Sequence, residues 1–192
     1  MQFGLVSTAS ALGAILAHGI RAGEMRFKKG RVLTRGDLEQ LLGAGVDSVT
    51  VARLEADDVP EDQAATRIGT ACAGSGVRAG AAFTGRVNIY SSVDGVVTIS
   101  ADTVNALNDL HESITLATVA PYSLVAKGQM LATIKIIPFA APISAVEKAE
   151  QILAIRGTVV DVNAFRPKSA ALISTFLPDT KSSLLDKNKS AL

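Results

Sequence analysis

Residues 27–54 read FKKGRVLTRGDLEQLLGAGVDSVTVARL, and their local chemistry decides the fold class. Gly30 stands between a basic pair and an apolar run, where a turn needs a residue tolerant of positive φ. Thr34 and Asp37 have the spacing of a capping box. The hydroxyl can accept an amide of the first helical turn while the carboxylate reaches back to the cap's own N–H. Leu38, Leu41 and Leu42 then fall on one helical face, and Gly45 suits the left-handed position just past a helix end. SVTVARL, residues 48–54, follows as a strand. The stretch predicts a strand–turn–helix–strand unit.

Working outward, GAILAHGI (13–20) predicts a short strand upstream. Downstream, Asp58 has the character of an N-cap with Glu61 completing a second box. Ala64, Ala65, Ile68 and Cys72 line the buried side of the helix that follows. AGSGVRAGAA (73–82), with Gly74, Gly76 and Gly80, predicts a flexible connector and a boundary. FTGRVNIY (83–90) and GVVTIS (95–100) predict two strands joined by a hairpin turn at Asp94-Gly95. A capped helix over 100–111 directs Val104 and Leu107 inward. A strand over 114–120 follows, then two more within SLVAKGQMLATIKIIPF (123–139), bent at Lys127-Gly128 and ended by Pro138. Residues 143–154 predict an amphipathic helix, and 157–165 and 169–176 predict strands. The fold class is α+β. Residues 1–78 are expected to form a small α+β unit, 79–165 a strand-rich unit, and 166–192 the start of a further domain.

Composition narrows the function. Of 192 residues 48% are apolar, enough for a core that needs no staples. Trp is absent and aromatics are few, so that core must be aliphatic. With 19 basic against 18 acidic residues, no basic surplus points to nucleic acid. Cys72 is the one cysteine, which excludes an internal disulfide and a Cys-rich metal site; between two alanines it reads as a small buried residue. His18 and His111 lack metal-site spacing, and no nucleophile elbow or P-loop is present. GSGVRAG (74–80) lacks dinucleotide-fingerprint spacing and follows a helix. The apolar N-terminus, FGLVSTASALGAILAHGI (3–20), has no basic residues before it and is broken by Ser, Thr, Gly and His. It reads as neither signal peptide nor membrane span, and a cytoplasmic location is expected.

The polar stretch after the last predicted strand carries the candidate binding residues. Ser174, Thr175, Asp179, Thr180, Lys181 and Ser182 would lie beyond a strand's carboxyl end, where ligands of α/β sheets gather. Hydroxyls and helix-start amides can hold phosphate oxygens, and Lys181 can add a charge-assisted contact.

KKGRVLTRGDLEQLLGAGVDSVTVARL resembles the linker of molybdopterin molybdotransferases, and Arg166-Pro167 with AALIST (170–175) resembles the entry to their molybdopterin-binding domain. A bacterial family of fused proteins is similar over essentially the whole chain. In it a molybdopterin-binding region precedes a nucleotidyltransferase domain related to molybdenum cofactor cytidylyltransferases. GAILAH, the KKG turn, VARLEADDVPEDQAA, TGRVNIY, ATVAPYSLV, GQMLATIKIIPFAAP and TFLPDTKSSLLDK carry that resemblance. Phe176-Leu177-Pro178-Asp179 replaces the Gly-Asp-Glu of molybdotransferases, and their acidic S-x-M-D-G-Y motif is missing, so molybdate insertion is not implied.

The resemblance implies the N-terminal region of a molybdopterin-binding protein in molybdenum cofactor biosynthesis or maturation, non-catalytic in itself. Molybdopterin or the molybdenum cofactor would be its partner, held at Ser174 to Ser182. Mg²⁺ and a nucleoside triphosphate would belong to a transferase domain beyond this chain. It also implies that 169–192 begin an α/β domain cut short. Leu172 and Ile173 would then forgo roughly 1.5–3 kcal/mol each if left exposed, so this segment is expected to be disordered, captured by the middle β-region, or paired with another copy. A homo-oligomer fits, whereas nucleic acid and membrane partners do not. The alternative is a structural or oligomerisation module with no cofactor affinity.

Overall fold

The computed structural model describes residues 1–175, 177–178 and 181–191. The fold is α+β. The elements, in chain order, are β1 (Gln2–Ser7), a 3₁₀ turn (Thr8–Ser10), β2 (Ile15–Leu16), β3 (Ile20–Ala22), β4 (Met25–Phe27), α1 (Arg35–Gly43), β5 (Ser48–Arg53), β6 (Asp58–Pro60) and α2 (Glu61–Cys72). There follow β7 (Val77–Ala79), β8 (Arg86–Ser91), β9 (Gly95–Ile99), α3 (Ala101–Asn108), β10 (Ile114–Thr118), β11 (Leu124–Val125), β12 (Met130–Ile136), β13 (Ala140–Pro142), α4 (Ile143–Arg156), β14 (Val160–Ala164) and α5 (Ser182–Ser190).

The opening stretch folds as its chemistry dictates. Gly30 has φ 82°, and the Thr34–Asp37 box is complete: the Asp37 amide donates to Thr34 Oγ1 at 3.3 Å and the Thr34 amide to Asp37 Oδ2 at 3.0 Å. Arg31 clamps the same carboxylate through Nε at 3.0 Å and Nη2 at 2.7 Å. Gly45, φ 77°, closes the helix. Leu38 and Leu41 bury against Leu16, Leu33, Val49 and Val51, but Leu42 turns outward and is exposed. The sheet beneath has the antiparallel order β1-β5-β2, so β1 presents a free edge.

A larger core gathers the rest. The antiparallel sheet β10-β12-β8-β7 carries α2 on one face, and the sheet β11-β9-β14 closes the layer beside it. Ala64, Ala65, Ile68 and Cys72 of α2 are fully buried there, so this helix packs in the second core although it follows directly on the first unit. Gly69 brings α2 onto the sheet: a Cβ there would stand 2.7 Å from Val87 Cγ1. β6 pairs with β13, and the Met1 amine pairs with Glu55 and, at 2.8 Å, with Asp58.

Four expectations are corrected. Asp58 does not cap α2; its carboxylate accepts from the Glu55 amide at 2.8 Å and faces the chain's amine, and Pro60 occupies the cap. Residues 73–82 are not a flexible connector. They contain β7, and the Gly74 amide donates to Val160 O while the Val162 amide donates to Ser75 O. Their glycines serve close approach instead: a Cβ on Gly74 would lie 2.2 Å from Asp161 Oδ1. β8 and β9 do not form a hairpin about Asp94-Gly95, because they belong to different sheets, and Gly95 lies against Asn163 O of β14. Finally, 169–175 form no strand. Leu172 and Ile173 are exposed, with no neighbouring strand to bond their backbone, which is what a β-segment without a partner must do. Phe176, the end of that predicted strand, lies outside the described residues.

Two measurements follow from this packing. Gly69→Ala gains about 1 kcal/mol of helix propensity but overpacks Val87, at a cost of about 1–3 kcal/mol; a net loss in the urea unfolding midpoint is expected. Arg31's hydrogen bonds, with the Thr34 contacts, hold the Asp37 carboxyl down to about 2, against 3.8 ordinarily. A depressed folded pKa stabilises above the unfolded value, so this contribution is complete above about pH 4 and is lost as pH falls toward 2. Asp37→Asn should flatten the acid limb of the stability–pH profile over that window.

A cationic cleft between the two cores

The Lys29-Gly30 turn, the start of α2, the β7–β8 connection and the end of β12 meet at a cleft of about 270 Å³. Its polar wall is Lys29, Glu61, Thr84, Arg86 and Lys135. Ile136, Ile137 and Phe139 supply an apolar side. Lys29 comes from the first core's β-hairpin region and the other groups from the second, so the cleft exists only because the two cores are docked.

Strand pairing sets the charges. Arg86 and Lys135 are direct cross-strand partners in β8 and β12, and both are exposed. Like charges directly opposite in an antiparallel pair repel and destabilise it. Neither of them, nor Lys29, forms an ion pair with a described carboxylate. Lys29 Nζ lies 5.3 Å from the centroid of the Phe139 ring, a cation–π contact that holds its charge at the rim. Glu61 is the single carboxylate on the wall. Burial and the charge of Asp62 raise its pKa, and Lys29 and Lys135 oppose that rise. Asp62 itself is engaged with the loop: its Oδ1 accepts from the Gly85 amide at 2.7 Å.

The loop is built under strain. Phe83 and Arg86 exchange backbone hydrogen bonds at 3.0 and 3.3 Å around Thr84 and Gly85, whose φ values are 49° and 71°. Positive φ at both central residues is the requirement of a type I′ turn. Gly85 meets it freely, and no side chain could replace it, since a Cβ would stand 2.6 Å from Glu61 Oε2 and 2.9 Å from Ile136 O. Thr84 meets it at a cost, because a β-branched residue at positive φ crowds its own backbone. Local strain of this kind concentrates where a site needs a fixed shape. Ile136 N donates to Gly85 O at 2.7 Å and Glu61 N to Phe139 O at 2.9 Å, tying the walls together.

The residues singled out in the C-terminal stretch lie elsewhere. Ser174 and Thr175 are exposed on the unpaired segment, and Lys181 and Ser182 are exposed at the start of α5, a helix with no buried residue. Asp179 and Thr180 lie outside the described residues. The cleft's donor set suits phosphate oxygens, which Arg and Lys bind through charge-assisted hydrogen bonds. Sequence reading treated Lys29, Arg86 and Lys135 as turn and strand residues. The available signal was Lys135, a lone charge in the apolar run LATIKII.

Elsewhere the chemistry is sparse. Burial pushes the Cys72 thiol up to about 12, so it is no thiolate nucleophile at neutral pH. Among the described residues no group of His, Cys, Asp and Glu is placed to hold a metal ion, and no helix is long and apolar enough to cross a membrane.

A family model described as a domain of unknown function (DUF8806) matches residues 5–53. The match runs from the middle of β1 to the end of β5 and includes Lys29 and Gly30, and it ends before Glu61, Arg86 and Lys135. No curated protein matches the chain.

Thr84→Asn converts the turn to Asn-Gly, the pair best suited to its geometry. Relief of the strain should raise unfolding free energy by about 1 kcal/mol, read as a higher urea midpoint at unchanged slope.

Proposed function

We propose that this chain is the N-terminal region of a molybdopterin-binding protein that serves molybdenum cofactor biosynthesis or maturation in the cytoplasm, and that it binds rather than catalyses. One observation carries the reading. The KKG turn, the Glu61 end of VARLEADDVPEDQAA, TGRVNIY and GQMLATIKIIPFAAP are four of the strings behind the resemblance, and their residues meet at the cationic cleft. Segments so far apart in sequence share a site only if the fold brings them there, which supports a binding role for it.

Molybdopterin, when bound, supplies a dithiolene that ligates molybdenum, and it also bears a phosphate monoester. Lys29, Arg86 and Lys135 hold the phosphate end in this reading, and Phe139 with Ile137 shields the adjoining carbon skeleton. Ser174, Thr175, Asp179, Thr180, Lys181 and Ser182 belong to the reading as a second set of contacts, formed when further polypeptide or a second copy covers Leu172 and Ile173. Any nucleoside triphosphate and Mg²⁺ belong to a transferase domain outside this chain.

A second reading, an oligomerisation module, is favoured by β1, whose free edge carries Phe3 at 58% and Leu5 at 70% exposure. It predicts a dimer by sedimentation that Leu5→Lys abolishes.

Anaerobic titration of the full chain with molybdopterin, followed by pterin fluorescence, tests the main reading. Saturable binding with Kd of roughly 1–100 μM is expected. An unchanged signal, both here and in a longer form carrying the residues that follow, would sink it.

A further inference from the structure

We infer that the cleft binds the dianion of an organic phosphate monoester, with Lys29, Arg86 and Lys135 as its cationic ligands and Glu61 as the carboxylate that tempers their charge. The inference rests on the reading above in one respect, that the cleft is a ligand site. It goes further in the class of ligand, a small organic phosphate monoester with no need of a pterin, and in the part of Glu61.

Charge is the first ground. Three cations against one carboxylate leave a surplus of two on the wall, the charge of a phosphate monoester above its second pKa. Asp62 is not on that wall, its carboxylate accepting from the Gly85 amide, but its charge reaches Glu61, so with it included the local surplus is one. The opposed Arg86–Lys135 pair weakens its own sheet unless an anion lies between the two side chains. Such an arrangement is stability given up for binding.

Size and shape are the second ground. About 270 Å³ admits a phosphate and a small organic group, below the range of drug-sized pockets. The cations line a cleft rather than a face, and the chain as a whole has a formal net charge of only +1, so a polyanion such as nucleic acid is a poor match. Ile137, 54% exposed, and Phe139 provide an apolar wall that inorganic phosphate leaves unused and an ester's carbon substituent covers. The bound phosphate would touch Lys29 of the first core and Arg86 and Lys135 of the second, linking them.

Phenyl phosphate, a monoester with no pterin, is the probe, followed by calorimetry and ³¹P resonance shift on the full chain, with phenol as the uncharged control. Phenyl phosphate is expected to bind more tightly than inorganic phosphate, phenol not at all, and affinity should fall as salt rises. Arg86→Gln and Lys135→Gln should each weaken binding about tenfold, whereas Glu61→Gln should tighten it several-fold. Without ligand, Lys135→Gln should raise the unfolding midpoint by relieving the like-charge pair, and added phenyl phosphate should stabilise wild type more than this variant. The midpoint also reports whether each variant is folded.

No affinity of wild type for phenyl phosphate, or affinity unchanged in both Arg86→Gln and Lys135→Gln, overturns the inference. The two proposals separate cleanly. Phenyl phosphate binding without molybdopterin binding retains this inference and removes the cofactor reading. Molybdopterin binding with no phenyl phosphate binding retains molybdopterin as a ligand but removes the cleft as its phosphate site, and with it this inference.

Discussion

The antiparallel pairing of β8 with β12 is the contact on which most of this molecule depends. Its register sets Val87 opposite Ile134, and those side chains, with Ile89, form the floor against which α2 lies. Alternation then sends the residues between them to the other face. A slip of one position would exchange the two faces along the strand, so burial of the apolar set holds the register firmly. An irregularity between Met130 and Ala132 lets both Leu131 and Ala132 remain buried at the strand's start without disturbing the pairing at its end. That end is where Lys135 faces Arg86.

The same register therefore builds the core and the charge cluster. The cluster is a consequence that packing enforces: with Val87 and Ile134 inside, Arg86 and Lys135 must stand side by side outside. The turn at Thr84-Gly85 completes the site by holding β8's entry against Glu61, and its strained residue and side-chain-free neighbour leave that loop little freedom. Glycine has the same purpose elsewhere in the second core. Gly69, Gly74 and Gly95 let a helix or a strand approach a neighbour more closely than any side chain would permit.

The two cores differ in how much of them was legible beforehand. In the first, Thr34, Asp37, Gly30 and Gly45 act through hydrogen bonds and backbone angles within a few residues, and each takes the place that its chemistry dictates. Gly30, φ 82°, and Gly128, φ 85°, each follow a lysine at a bend and meet the same demand for positive φ. In the second core the longer strands were legible, but the short strands β6, β7 and β13 were not, nor were the partners of any of them. Asp94-Gly95 has the composition of a hairpin, yet β8 and β9 diverge into separate sheets because β9 buries Val97 between β11 and β14. The glycines at 74 and 76 look like a linker because sequence cannot distinguish a glycine kept for flexibility from one kept for close contact.

What the sequence by itself determined is the α+β class, the capped start and glycine end of α1, the buried side of α2, the inert character of Cys72, and the poverty of catalytic motifs. All of these follow from short-range hydrogen bonding, periodicity and composition. Only the tertiary structure decided which strands pair, that the Gly-rich segment is packed, that 169–175 stay unpaired, and that Lys29, Arg86 and Lys135 share one cleft. Strand pairing and charge clustering are set by burial between residues distant along the chain, and a linear pattern records which residues prefer to be buried without recording what they are buried against.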